Sequence, residues 1–189
     1  MSLPSFDPTK AVTFDLARGL VRLDDDTPRL LVPAGALLAL VKAAGPGATE
    51  SFAKALGEPL GERVSRRLSG SEALRAASPD VVLDHLGGEF ALVGLGTLSI
   101  ERWGRALLLV VDRSPLAQDN DATLLTHVLE AALHQATGRT VRCVLLSGGA
   151  QARFLIAGDA AAVKARQWLA SGTSWGEVLA RLHAPGGAA

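Results

Sequence analysis

The stretch from His85 to Val111, HLGGEFALVGLGTLSIERWGRALLLVV, constrains the fold most because its glycines stand in a defined order. Gly87-Gly88 follow a segment with a helix start, and Gly94-Leu95-Gly96 precede two strand patterns that turn near Trp103-Gly104. A dinucleotide-binding loop needs its glycines between a strand and a following helix, with a third glycine at its spacing. The order here is reversed. We therefore predict a helix end, a bend into a sheet and no nucleotide cofactor.

The periodicity of apolar residues elsewhere predicts a mixed fold. Two short strands over 12–16 and 20–23 form an N-terminal hairpin, and strands over 140–146 and 151–157 form a later one. Helices are expected over 34–44, 49–68, 122–137, 160–170 and 174–182, the first of them buried because it is apolar nearly all round. The chain is predicted to be α+β, with an antiparallel sheet of about four strands flanked by helices and an extra N-terminal hairpin.

Length and charge limit the organisation and the partners. The 189 residues fit a single domain, with 1–30 as a hairpin extension, 31–183 as the core and 184–189 as a disordered tail. The 19 basic and 19 acidic residues give no net charge, so we expect no nucleic-acid partner. Apolar runs fall short of the roughly 20 residues of a membrane span, and no signal segment is visible. We predict a cytoplasmic protein.

The helix expected over 49–68 has an unusual row of small residues. Large apolar side chains recur every four positions beside this row, and Pro59 and two glycines lower the helix propensity by on the order of several kcal/mol, which packing must offset. Such a groove lets another backbone approach closely. That backbone belongs either to the 34–44 helix or to a second subunit. We predict a homodimer or adaptor interface formed by Ala53, Gly57, Leu60, Gly61 and Val64.

The residue pattern does not predict a metal site or a redox centre. His127, Glu130 and His134 have a spacing that permits metal ligation, but they fall on the outward face of the 122–137 helix and are interpreted as solvated. The acidic turn at 24–26 lacks the glycine and distal glutamate of a calcium loop. Cys143, the only cysteine, lies in a strand pattern and is interpreted as a packed small hydrophobe. We expect no metal and no other cofactor.

No catalytic set assembles either, because the four histidines are scattered and no nucleophile motif occurs. His85 is the most site-like of them, since it lies next to the glycine bend and beside Asp84 and Glu89. A histidine near a helix end is more often a cap or a core hydrogen-bonding group. The protein is therefore not expected to be an enzyme.

The segments SFAKALGEPLGERV, GEFALVGLGTLSIERWGRALLLVV and GGAQARFLIAG follow one another in an order that resembles the 4-vinyl-reductase-like, or hydrocarbon-binding, domain family. That family shares its fold with the small subunits of the TRAPP tethering complex and with haem nitric-oxide-binding domains. The resemblance covers 31–157 and rests on glycine and apolar patterns. It implies an antiparallel sheet flanked by helices, frequent dimerisation and often an apolar cavity.

This chain departs from the family where cofactors would bind. Many members have cysteines around the terminal hairpin, where Leu145, Gly149 and Arg153 stand here, so a cysteine centre is in doubt. The haem relatives need a tyrosine motif, and this chain has no tyrosine. Some TRAPP subunits have an acylated cysteine inside an apolar channel, but Cys143 lies in a strand that does not match that position.

Two functions therefore remain. The first is a non-enzymatic interaction or adaptor module, either a homodimer or an adaptor, whose small-residue helix face meets a second copy or another protein. The second is a sensor that encloses an apolar small molecule and reports it through partner affinity. The ligand pocket predicted for that sensor is formed by Leu37, Leu40, Phe52, Leu56, His85 and Phe90.

Overall fold

A computed structural model describes residues 11–23, 28–68, 79–117 and 122–183 of the chain. The predicted turn at 24–27 and the predicted tail at 184–189 lie outside these residues. The elements in chain order are β1 Val12–Asp15, β2 Leu20–Leu23, β3 Pro28–Arg29, α1 Ala34–Ala44, α2 Pro46–Arg67, α3 Pro79–Leu92, β4 Thr97–Trp103, β5 Ala106–Asp112, α4 Thr123–Thr137, β6 Arg142–Ser147, β7 Gln151–Ala157, α5 Asp159–Ala170 and α6 Trp175–His183.

The main sheet has four antiparallel strands in the order β4-β5-β7-β6. Alternation along β5 sends Leu109 and Val111 to one face and Leu108 to the other. The first face packs with α2, α3 and α4, and the second with α5 and α6. The predicted α+β fold with a four-stranded antiparallel sheet flanked by helices is confirmed.

The N-terminal hairpin is also confirmed, with one addition. β1 pairs with β2 as expected, and β3 pairs with the other edge of β2 to give a separate three-stranded sheet. This sheet and the segment that leads to α1 carry several large apolar side chains at the surface, namely Phe14, Leu16, Leu30, Leu31 and Val32.

Two helices differ from the prediction. Among the described residues of α1, only Val41 is buried and Leu40 is 67% exposed, so this helix covers the core edge and does not lie inside the core. α2 begins at Pro46 instead of Thr49, because Gly45 at φ 87° breaks the chain after α1 and proline suits a first helical position.

The predicted helix end at Gly87-Gly88 is wrong, because α3 continues through both glycines to Leu92. A Cβ at Gly87 would lie 3.3 Å from the carbonyl oxygen of Leu98 in β4. Gly87 therefore lets the strand approach the helix closely. The bend into the sheet follows later, at Gly94 and Gly96, which both have positive φ.

Within the described part of the chain, no helix combines the length and the hydrophobicity that crossing a bilayer requires.

Candidate functional site

A partly open pocket of about 440 Å³ lies between α1, the first turn of α2 and the start of α4. Its volume is within the usual range for small-molecule sites. Apolar side chains form most of its walls, and a few polar groups from three helices join them. The lining residues are Leu38, Val41, Lys42, Gly45, Pro46, Thr49, Leu116, Thr123, Leu124 and His127.

The close crossing of α2 and α4 determines how these two helices are placed beside the pocket. A Cβ at Gly57 would lie 2.5 Å from the carbonyl oxygen of Val128, and one at Gly61 would lie closer still to that of Ala132. Only glycine permits this approach of the two backbones. The crossing in turn places Thr49 and His127, one from each helix, along the same cavity.

The residues predicted to form a subunit interface lie at this crossing. Ala53, Leu60 and Val64 are at most 1% exposed, and Gly57 and Gly61 are also buried. The backbone that approaches them belongs to α4 of the same chain, neither to a second subunit nor to the 34–44 helix. The prediction of a close backbone approach was sound, but the surface is not available to a partner in this structure.

The six residues predicted to form a ligand pocket do not line the observed one. Leu40 points to solvent and Leu37 is half-buried, while Phe52 and Leu56 are half-buried against the core. His85 and Phe90 are buried in α3. From α1, the pocket is lined by Leu38, Val41 and Lys42 instead.

His85 is buried in α3 one turn before Glu89, which forms a buried polar cluster with α2. Glu89 is fully buried and receives a 2.6 Å hydrogen bond from Arg63 Nε. Arg67 Nη1 lies 2.5 Å from the second carboxylate oxygen. The buried Nδ1 of His85 has no hydrogen-bond partner among the described residues. This cluster joins the two helices through charge as well as through apolar contact.

The sequence pattern indicates His85 and Glu89 as candidate site residues but does not indicate Arg63 and Arg67, which face Glu89. Arg63 and Arg67 are spaced by four and flank Val64, so they follow the buried side of α2. An arginine pair on a core-facing helix side is a signal that a buried carboxylate faces it. That signal was readable in the sequence.

His127, Glu130 and His134 line a second, polar groove of about 540 Å³ between α2, α4 and β6. Glu130 accepts a 2.8 Å hydrogen bond from the backbone N–H of Cys143 and lies 3.5 Å from both Arg142 and Arg166. His127 Nδ1 is 4.0 Å away from it. Among the residues that the structure describes, no group of three histidine, cysteine or acidic side chains is placed to hold a metal ion.

Cys143 lies on β6 and is fully buried. Burial raises the pKa of its thiol, and the Glu130 carboxylate adds to the effect. The thiol therefore stays protonated and packs as an apolar group.

The fold is similar to that of a known sensory domain. The phenol-responsive sensory domain of the transcription activator PoxR, solved with phenol, matches with a TM-score of 0.57 at 15% sequence identity. The match covers 94% of this chain and 94% of that one. No protein-family model matches the chain, and no curated protein does so. The chain therefore shares the fold of that sensory domain along nearly its whole length.

Proposed function

We propose that this protein is a small-molecule sensor module that binds a largely apolar ligand in the pocket between α1, α2 and α4. The observation that carries the proposal is the pocket itself, which has apolar walls and a few convergent polar groups. The shared fold supports it, because the PoxR domain is a phenol-responsive sensory domain.

The geometry of α1 supports a sensing role. This helix contributes Leu38, Val41 and Lys42 to the pocket, while its opposite side exposes Leu40. A ligand under α1 would therefore change the packing of a helix that also presents a surface. Ligands shift a conformational equilibrium only by their differential contacts with the two states, and α1 is the element that could supply that difference.

Native mass spectrometry of gently purified protein tests the proposal, followed by a thermal unfolding scan with added phenol. A copurified mass of a few hundred daltons, or a melting temperature that rises with phenol concentration, would support the sensor. Protein without added mass, unmoved by phenol and by a panel of small aromatic and aliphatic compounds, would refute it.

A protein contact through the N-terminal segment is the second candidate function. Leu30, Leu31 and Val32 are consecutive and are 51–89% exposed. Contiguous apolar surface of this kind marks contact sites. We propose a second copy of this chain as the occupant. The same native spectra report it: a dimer that Leu31→Glu converts to a monomer would support this contact, and a wild-type monomer would refute it.

A further inference from the structure

The charges around the α1–α2–α4 pocket are unevenly distributed. Two of its lining side chains are basic, Lys42 from α1 and His127 from α4, and none of the lining residues is acidic. Lys42 makes no ion pair with any carboxylate of the described residues. Its ammonium group is therefore available at the rim of an apolar cavity.

The carboxylate nearest to His127 makes its contacts outside the pocket. Glu130 is 4.0 Å from His127 Nδ1, but its oxygens already face Arg142, Arg166 and the backbone N–H of Cys143. Further along, the polar groove beside His127 contains Glu50, Lys54 and Glu58, and Lys54 pairs with Glu50 at 3.3 Å. These acidic groups lie in the groove and do not line the pocket.

The start of α2 adds to the positive potential. Gly45, Pro46 and Thr49 line the pocket, and the first turn of this 22-residue helix contains no acidic residue. Pro46 has no backbone N–H and the Thr49 N–H donates to the Gly45 carbonyl, so this end of the helix acts through its dipole, which favours negative charge. The effect supplements the two basic side chains.

Apolar walls with basic groups at one side suit a ligand of matching polarity. Leu38, Val41 and Leu124 would cover an apolar body, while Lys42 and His127 would face a negatively charged group. A charge-assisted hydrogen bond from lysine or histidine to a carboxylate is stronger than one between neutral groups. We infer that the pocket binds a small amphiphilic anion, namely a monocarboxylate with an aromatic or short aliphatic body.

This inference rests on the proposed function and names its ligand class. Isothermal titration of the full chain with benzoate and, separately, with its neutral isostere benzamide tests it. We expect benzoate to bind more tightly, and Lys42→Gln to weaken benzoate binding by about five- to tenfold while leaving benzamide unaffected. Lys54→Gln, which removes the same charge from the groove, is the matched control and should change neither affinity.

The outcomes separate the ligand class from the site. Equal affinities for benzoate and benzamide, or an unchanged benzoate affinity in Lys42→Gln, would overturn the anion inference and leave a neutral-ligand sensor. Loss of benzoate affinity in Lys54→Gln as large as in Lys42→Gln would also overturn it, because a general charge effect would then explain the binding. Failure of both compounds and of their octanoate and octanol counterparts to bind would count against the sensor itself.

Discussion

Arg63 Nε donates a 2.6 Å hydrogen bond to Glu89 Oε2, and both side chains are buried, one at 3% and the other at 0% exposure. The pair links α2 to α3 beside the apolar residues that the two helices contribute to the core. Because a buried ion pair must offset the desolvation of both charges, its effect appears when one partner is removed.

We predict that Glu89→Gln lowers the free energy of unfolding by about 3–5 kcal/mol, because Arg63 would keep a buried charge without its carboxylate. Chemical denaturation measures the change. Asp80→Asn on the same helix is the control. Its pair with Arg102 is more than half exposed, so the loss should be at most about 1 kcal/mol. Equal unfolding midpoints for Glu89→Gln and the wild type would show that the pair does not contribute to stability.

The α2–α4 crossing gives a second prediction. A Cβ at Gly61 would meet the backbone of Ala132, which cannot move without the helix, so Gly61→Ala should destabilise the protein by about 1–3 kcal/mol. A Cβ at Gly47, in the first turn of the same helix, meets nothing within 4 Å, so Gly47→Ala should be neutral or slightly stabilising.

The measurements are denaturant unfolding and native mass for both glycine variants. A Gly61→Ala protein of unchanged stability that loses an assembly present in the wild type would restore the subunit interface and contradict the crossing described above.

The state of Cys143 gives a third prediction. The thiolate is the reactive form, and burial raises the pKa of this thiol and blocks access to it. The native protein should therefore react with a disulfide reagent at pH 8 far more slowly than the protein in denaturant. Native labelling as fast as that of the unfolded chain would mean that β6 opens to solvent readily.

Much of the fold could be predicted because each apolar or glycine pattern lies within a single helix or strand. Alternation identified β6 and β7, the stretch after Gly94-Leu95-Gly96 predicted β4 and β5, and the small-residue row of α2 predicted a close backbone contact. Its partner could not be identified, since Gly57 and Val128 are distant in the chain and any helix with a flat side could fill that groove. For the same reason Gly87 was interpreted as a helix end, whereas its role depends on Leu98 of the neighbouring strand.

The candidate site was less predictable than the fold. It combines α1, the start of α2 and the start of α4, and none of these segments carries a recognisable ligand motif alone. The apolar residues of α1 were identified, but which of its sides faces the core depends on how Gly45 orients that helix against α2. Leu40 was therefore expected inside, where Leu38 and Val41 are found.

The most direct test of ligand binding in this pocket compares two tryptophan substitutions on α1 by isothermal titration with phenol and benzoate. Leu38 lines the pocket and Leu40 lies on the exposed side of the same helix. We predict that Leu38→Trp abolishes binding by filling the cavity, while Leu40→Trp binds like the wild type. Wild-type affinity in Leu38→Trp, or an equal loss in both variants, would contradict the assignment of this pocket as the ligand site.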